Sequence, residues 1–181
     1  MDFFTDNSSW VALIAAIIGL AFAAYTASWI LRQDTGTDRM RFIAAAIQRG
    51  AQAFLSREYR YVAIVVVVVT VVLLILSAIP NSGMSPLTAL AYVSGALASG
   101  VAGYIGMSIA VRSNLRTTAA AQRSLNSGLR VAFASGSVMG MTVVGLALMG
   151  ISLLFVLFTN LLPDPAQAAS ALVGFGFGGT T

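Results

Sequence analysis

The chain has 181 residues, 58% of them hydrophobic and only 9% charged, with a mean hydropathy of +0.89. A soluble domain carries about a quarter charged residues, so this balance excludes one, and the formal charge of +4 rests on arginines without an aromatic stacking pattern, which fits lipid headgroups and membrane topology rather than nucleic acid. The absence of Cys, His and Lys removes disulfides, thiol chemistry, Cys-type metal sites, the commonest general base and the usual amine nucleophile.

All ten basic residues are arginines in two stretches, Arg32 to Arg60 and Arg112 to Arg130. Around them run four uncharged segments: Asn7 to Leu31, Tyr61 to Val111, Val131 to Pro163, and Pro165 to the end. In water each would present apolar surface on every side. A bilayer accounts for the pattern, because spans are uncharged and arginines mark the loops kept on one side. The expected fold is therefore all-α, a multi-pass bundle with about four complete spans and the start of a fifth.

The first span is expected over 10–31, with Ser8 or Ser9 as N-cap and Trp10 and Trp29 as interfacial anchors. Its length as a helix is about 33 Å, against a hydrocarbon core of roughly 30 Å. Asp2 and Asp6 precede it instead of a basic region, so it does not read as a signal peptide. Next, the stretch 37–60 predicts a helix outside the membrane. Asp38 is the expected N-cap, and Met40, Ile43, Ile47, Ala51, Phe54 and Leu55 recur at helical spacing. Two readings of that apolar face are open: docking onto a partner domain, or, preferred, an extension of the following span covered by its own neighbours.

The second span, 61–79, contains the run Val65 to Val69, which has strand propensity in water. Its length and lack of alternation favour a helix, since only helices and closed barrels satisfy their backbone in lipid. Pro80, Asn81, Gly83 and Pro86 predict a short turn before the third span, 87–111. The second arginine loop covers 112–130, and the fourth span 131–162 follows. Wholly helical, that fourth run is roughly 48 Å long, so it must tilt or project from the membrane. Pro163-Asp164-Pro165 is expected to stop it, and 166–181 begins a fifth span.

The side holding both arginine stretches has ten Arg against Asp34, Asp38 and Glu58, a balance of +7. The opposite side has Asp2, Asp6 and Asp164, a balance of −3. The positive-inside rule then places the N-terminus outside and both arginine stretches in the cytoplasm.

Small residues recur at helical spacing in spans three and four: Gly95, Ser99 and Gly103, with Gly106 and Ala110 near; Ala132, Gly136 and Gly140, with Gly145 and Gly150 beyond. Such stripes let helix backbones approach closely in lipid. Packing is preferred over a conduction path, which needs ionisable groups in mid-membrane, and no span carries one. Gly174, Gly176 and Gly179 match the dinucleotide spacing but lack the required strand, following helix and acidic residue. Phe175 and Phe177 between them are expected to pack against neighbours. Asp34, Asp38 and Glu58 fit N-caps or ion-pair partners better than catalysts, so no catalytic, cofactor-binding or metal-ligating residue is assigned.

Three runs together resemble the ion-pumping membrane pyrophosphatases. They are Ile43-Ala-Ala-Ala-Ile-Gln-Arg-Gly-Ala-Gln-Ala-Phe-Leu-Ser-Arg-Glu-Tyr-Arg60, Gly103-Tyr-Ile-Gly-Met-Ser-Ile-Ala-Val-Arg-Ser-Asn-Leu-Arg-Thr-Thr-Ala-Ala-Ala121, and Gly128-Leu-Arg-Val-Ala-Phe-Ala-Ser-Gly-Ser-Val-Met-Gly-Met-Thr-Val-Val-Gly145, followed by Gly174 to Gly179. In order and spacing they are similar to that family's amino-terminal region. The resemblance implies a homodimer of about sixteen helices per subunit that hydrolyses magnesium pyrophosphate at the cytoplasmic face and moves H⁺ or Na⁺ outward across a membrane, here expected to be a bacterial inner membrane. It also implies that the substrate, Mg²⁺ and ion-gate residues lie after Thr181. On that reading the chain's own partners are the lipid bilayer and the remaining helices, and alone it is structural. The competing expectation is a complete small multi-pass scaffold or assembly protein without enzymatic activity.

Overall fold

The computed structural model describes residues 8–79, 85–162 and 165–181. Within them the chain forms five helices: α1 (Ser8–Leu31), α2 (Asp38–Ser77), α3 (Pro86–Ala121), α4 (Leu125–Leu161) and α5 (Pro165–Gly179). The described residues contain no strand, and the valine run lies in the second half of α2. Four of the five are long and apolar enough to cross a bilayer; α5, with 15 residues, is shorter.

Charge proves to be a poor marker of where helices end. The helix expected over 37–60 and the span expected over 61–79 are a single helix of 40 residues, so this segment is an extension of its span. Likewise α3 continues through Arg112 and Arg116 to Ala121, and α4 already includes Arg130. The expected loop 112–130 reduces to Gln122, Arg123 and Ser124, because arginines at a membrane boundary can extend their heads to water without ending a helix. At about 1.5 Å per residue, the 37 residues of α4 span about 55 Å.

Caps follow local chemistry. Thr37, not Asp38, is the N-cap of α2, its Oγ1 accepting the Met40 backbone N–H at 3.3 Å. Asp38 instead occupies the first turn, where its charge favours the helix N-terminus. Ser85 caps α3 ahead of Pro86, and Ser124 caps α4 by accepting the Ser127 N–H at 3.1 Å. Both Ser8 and Ser9 stand in the first turn of α1. The turn signals at 80–83 and the stop at 163–164 lie outside the described residues.

The bundle is built around α3 and α4, which pack on each other. α1 lies on α4, α5 lies mainly on α3, and α2 leans mainly on α3. One core joins Ala91 of α3, Leu154 and Phe158 of α4, and Ala168, Ala171 and Phe175 of α5. A second joins Ile30, Ile109 and Val138. α2 has a single buried residue, Ala44, and leaves Val67, Val68 and Ile75 exposed, a surface that lipid accepts and water does not. Its inner face is Met40, Ala44, Ala51, Leu55 and Tyr59. Ile43 and Ile47, also expected on that face, stand at its edge, half exposed, where they line a groove with Val111, Asn114, Leu115 and Thr118 of α3, whereas Phe54 is exposed.

The small-residue stripes divide into seams and open faces. The tightest crossing joins α3 to α5. An added Cβ at Gly95 would stand 2.1 Å from the Phe175 carbonyl oxygen, at Gly174 2.2 Å from that of Thr88, and at Gly178 1.9 Å from that of Tyr92. Gly145 meets Leu20 of α1, Gly150 meets the Phe175 ring, and Gly106 meets Met139. By contrast Gly136 and Gly140 face open space and Ala132 is exposed, so that stripe is not a seam within this chain. Phe175 packs as expected, whereas Phe177 is exposed, because adjacent odd positions on a helix cannot share a face.

Candidate functional site

Chemistry-bearing side chains gather at the arginine-rich end of the bundle, where the α1–α2 connection meets the α3–α4 turn. Asp34 organises the connection. Its Oδ1 accepts the Gly36 N–H at 2.9 Å and its Oδ2 accepts Nη2 of Arg123 at 2.6 Å. Gly36 has φ +69°, a left-handed conformation that favours glycine at this turn. The Gly36 N–H holds the Asp34 carboxyl below its ordinary range, against an opposing effect of burial, and the charge and hydrogen bond of Arg123 add to the lowering. Asp38 is held low in the same sense by the hydrogen bond and charge of Arg41.

Arg116 ties α3 to α1. Its Nη2 donates to the carbonyl of Leu31, the last residue of α1, at 2.9 Å, and its Nη1 to the Arg112 carbonyl at 2.8 Å. A cation on the last carbonyls of a helix answers both unpaired acceptors and the negative end of its dipole. Burial lowers the Arg116 pKa, and the neighbouring Arg112 adds to this. Close by, the Arg130 guanidinium lies 5.5 Å from the Trp29 ring centroid, which gives that tryptophan a cation–π partner.

These arginines are fasteners. Asp34 and Asp38 are the ion-pair partners expected of them; Glu58 lies on α2, beside a groove that it shares with Thr181. The described residues bring together no group of three acids able to hold a metal ion. A Mg²⁺ site needs several converging oxygen ligands, and with two of the three carboxylates engaged by arginines this donor set does not fit one. The Gly174, Gly176, Gly179 spacing lies within α5, where Gly174 and Gly178 make the close approaches to α3.

Sequence reading missed the roles of Arg116 and Gly178. The first had no visible signal, since its acceptor is a backbone carbonyl 85 residues away. The second had one: Gly174 and Gly178 are four apart, the small-xxx-small spacing.

Long helices with extended charge-free stretches, lipid-suited outer surfaces and glycine crossings define a polytopic α-helical membrane protein. Residues 17–181 match the family model described as inorganic H⁺ pyrophosphatase, and the chain belongs to that family. It is 44% identical over 162 residues to a K⁺-insensitive pyrophosphate-energized proton pump of Moorella thermoacetica, covering 90% of this chain and 23% of the pump. To one from Methanosarcina mazei it is 41% identical over 169 residues, covering 93% and 23%. A putative K⁺-stimulated pyrophosphate-energized sodium pump of Bacteroides thetaiotaomicron is 34% identical over 183 residues, with 95% and 24% covered. The chain thus spans about a quarter of the length of the curated relatives it matches.

Proposed function

We propose that this chain forms the amino-terminal helices of a pump that couples pyrophosphate hydrolysis to the outward movement of H⁺ or Na⁺. The observation that carries the reading is the match to pyrophosphate-energized pumps along 90% or more of the chain. In the proposed protein, α1 to α4 act as a shoulder. Glycine crossings and the Arg116 and Arg123 fasteners fix them relative to one another, so that further helices dock on a defined surface. Substrate and Mg²⁺ are held by residues outside these 181, because the described carboxylates are few and two of the three are engaged by arginines. The assembled pump is a homodimer in a bacterial inner membrane, with the N-terminus of this chain outside and the arginine-rich end cytoplasmic. The +7 against −3 balance supports that orientation.

The test compares phosphate release from magnesium pyrophosphate, and ion uptake into liposomes, for the purified 181-residue chain and for the whole protein. Activity is expected only in the whole protein. Turnover by the 181-residue chain near the whole protein's level would place the chemistry among Asp34, Asp38, Glu58 and the arginines, and end this reading.

A further inference from the structure

A crevice runs between α2 and α3 at the arginine-rich end. Its outer part, about 350 Å³, is walled by Gln48, Gln52, Ser56, Tyr104, Ser108 and Arg112 among others. Its inner part, about 450 Å³, is walled by Val62, Ala96, Gly100, Gly103 and Met139. Leu55, Tyr59 and Met107 line both, so the two parts are continuous. Volumes of roughly 300–1,000 Å³ are those of small-ligand sites.

Three features define the occupant. Polarity falls along the crevice from the arginine-rich end toward the middle of the spans, which is the polarity profile of one lipid molecule in its leaflet. No acid lines the outer part, and among the described residues the Arg112 guanidinium has neither an ion pair nor a hydrogen bond of its own. The one acid on the crevice, Glu58, lies ten residues along α2 from Gln48, about 15 Å away along the helix. Finally, the Tyr59 hydroxyl donates to the Gly100 carbonyl at 2.5 Å, and its ring is seated against Gly100 and Gly103. That side chain crosses between α2 and α3 and narrows the neck. An acyl chain is slender enough to bend past that ring and follow the apolar inner wall.

We propose that this crevice binds an anionic phospholipid of the leaflet on the arginine-rich side, with its phosphate on Arg112 and the polar side chains of Gln48, Gln52 and Ser108. One acyl chain lies past Tyr59 along Gly103 and Val62. A basic pocket between membrane helices is the general form of such headgroup sites, and the guanidinium pairs with phosphate through parallel hydrogen bonds.

The test titrates the whole protein, purified in detergent and stripped of lipid, with phosphatidylglycerol or with phosphatidylcholine of the same chains, read by native mass spectrometry. The wild type is expected to bind one phosphatidylglycerol per chain in preference to phosphatidylcholine. Arg112→Gln should weaken that binding about tenfold. Arg112→Lys should keep the preference, and Arg39→Gln, away from the crevice, should leave it unchanged. Because Arg112 is exposed on α3, the glutamine variant is expected to keep the wild-type melting midpoint. Equal affinity of wild type and Arg112→Gln, equal binding of the two lipids, or no retained phosphatidylglycerol because another segment fills the crevice would each overturn the proposal.

Discussion

Gly178→Ala isolates the closest helix crossing in the molecule. The added Cβ would stand 1.9 Å from the Tyr92 carbonyl oxygen and 2.7 Å from the Ala96 backbone nitrogen. Both are backbone atoms inside α3, so no side chain can turn away to make room. Restoring ordinary contact, about 3.5 Å, requires α5 and α3 to part by about 1.5 Å at that point. Overpacking of a tight core costs about 1–3 kcal/mol, and here the separation also lifts Phe175 from Ala91, Leu154 and Phe158. Alanine recovers up to about 1 kcal/mol of helix propensity relative to glycine. The expected net loss is about 1–2 kcal/mol, the upper part of the overpacking range less the propensity gain. The assay is SDS titration of the chain in mixed micelles, followed by near-UV circular dichroism of the packed aromatics. Gly176→Ala is the control, since its Cβ meets nothing within 4 Å and should retain only the favourable propensity. Equal midpoints for the two variants would refute the crossing.

Arg116→Met should lower stability by about 1–3 kcal/mol in the same titration, because it strips a charged donor from the last carbonyl of α1; an unchanged midpoint would show that water replaces it at no cost. The depressed Asp34 carboxyl contributes stability that is present above its ordinary value of about 3.9 and is lost as pH falls through the lower folded value. Loosening of the α1–α2 connection below about pH 4, measured by proteolysis between Arg32 and Asp38, should therefore be seen in the wild type and be absent from an already loosened Asp34→Asn. Cysteines placed singly at Ser8 and Gln122 should label from opposite sides of sealed cells, and labelling of both by one impermeant reagent would reverse the topology.

The spans were legible because they are free of charge, and family resemblance was legible because three long runs survive in order. What sequence could not supply was direction. Gly136 and Gly140 have the same spacing as Gly174 and Gly178, yet the first pair faces open space and the second meets α3. Spacing places residues on one face of a helix; only the neighbours decide whether that face is met. The same limit explains the apolar stripe of α2, of which Ile43 and Ile47 stand at the edge of a groove against α3 while Phe54 is exposed. Thr37 and Asp38 are both able to cap, and the chain settled between them by one residue. The Arg116 fastener was beyond reach for another reason: its acceptor lies 85 residues away, and nothing local marks an arginine bound to a remote carbonyl.

The unbroken course of α2 gives it a mechanical character. Its 40 residues make a rod of about 60 Å with no proline and no kink-forming break at the arginine boundary. A rod without a hinge is a lever: a rotation of about 5° about one end sweeps the other through about 5 Å. Its attachment is one-sided, along α3, with Tyr59 pinned to Gly100 near the middle. With the turns from Met40 to Tyr59 lying along α3, a shift of α3 there would be carried by the rod to the turns around Ser77.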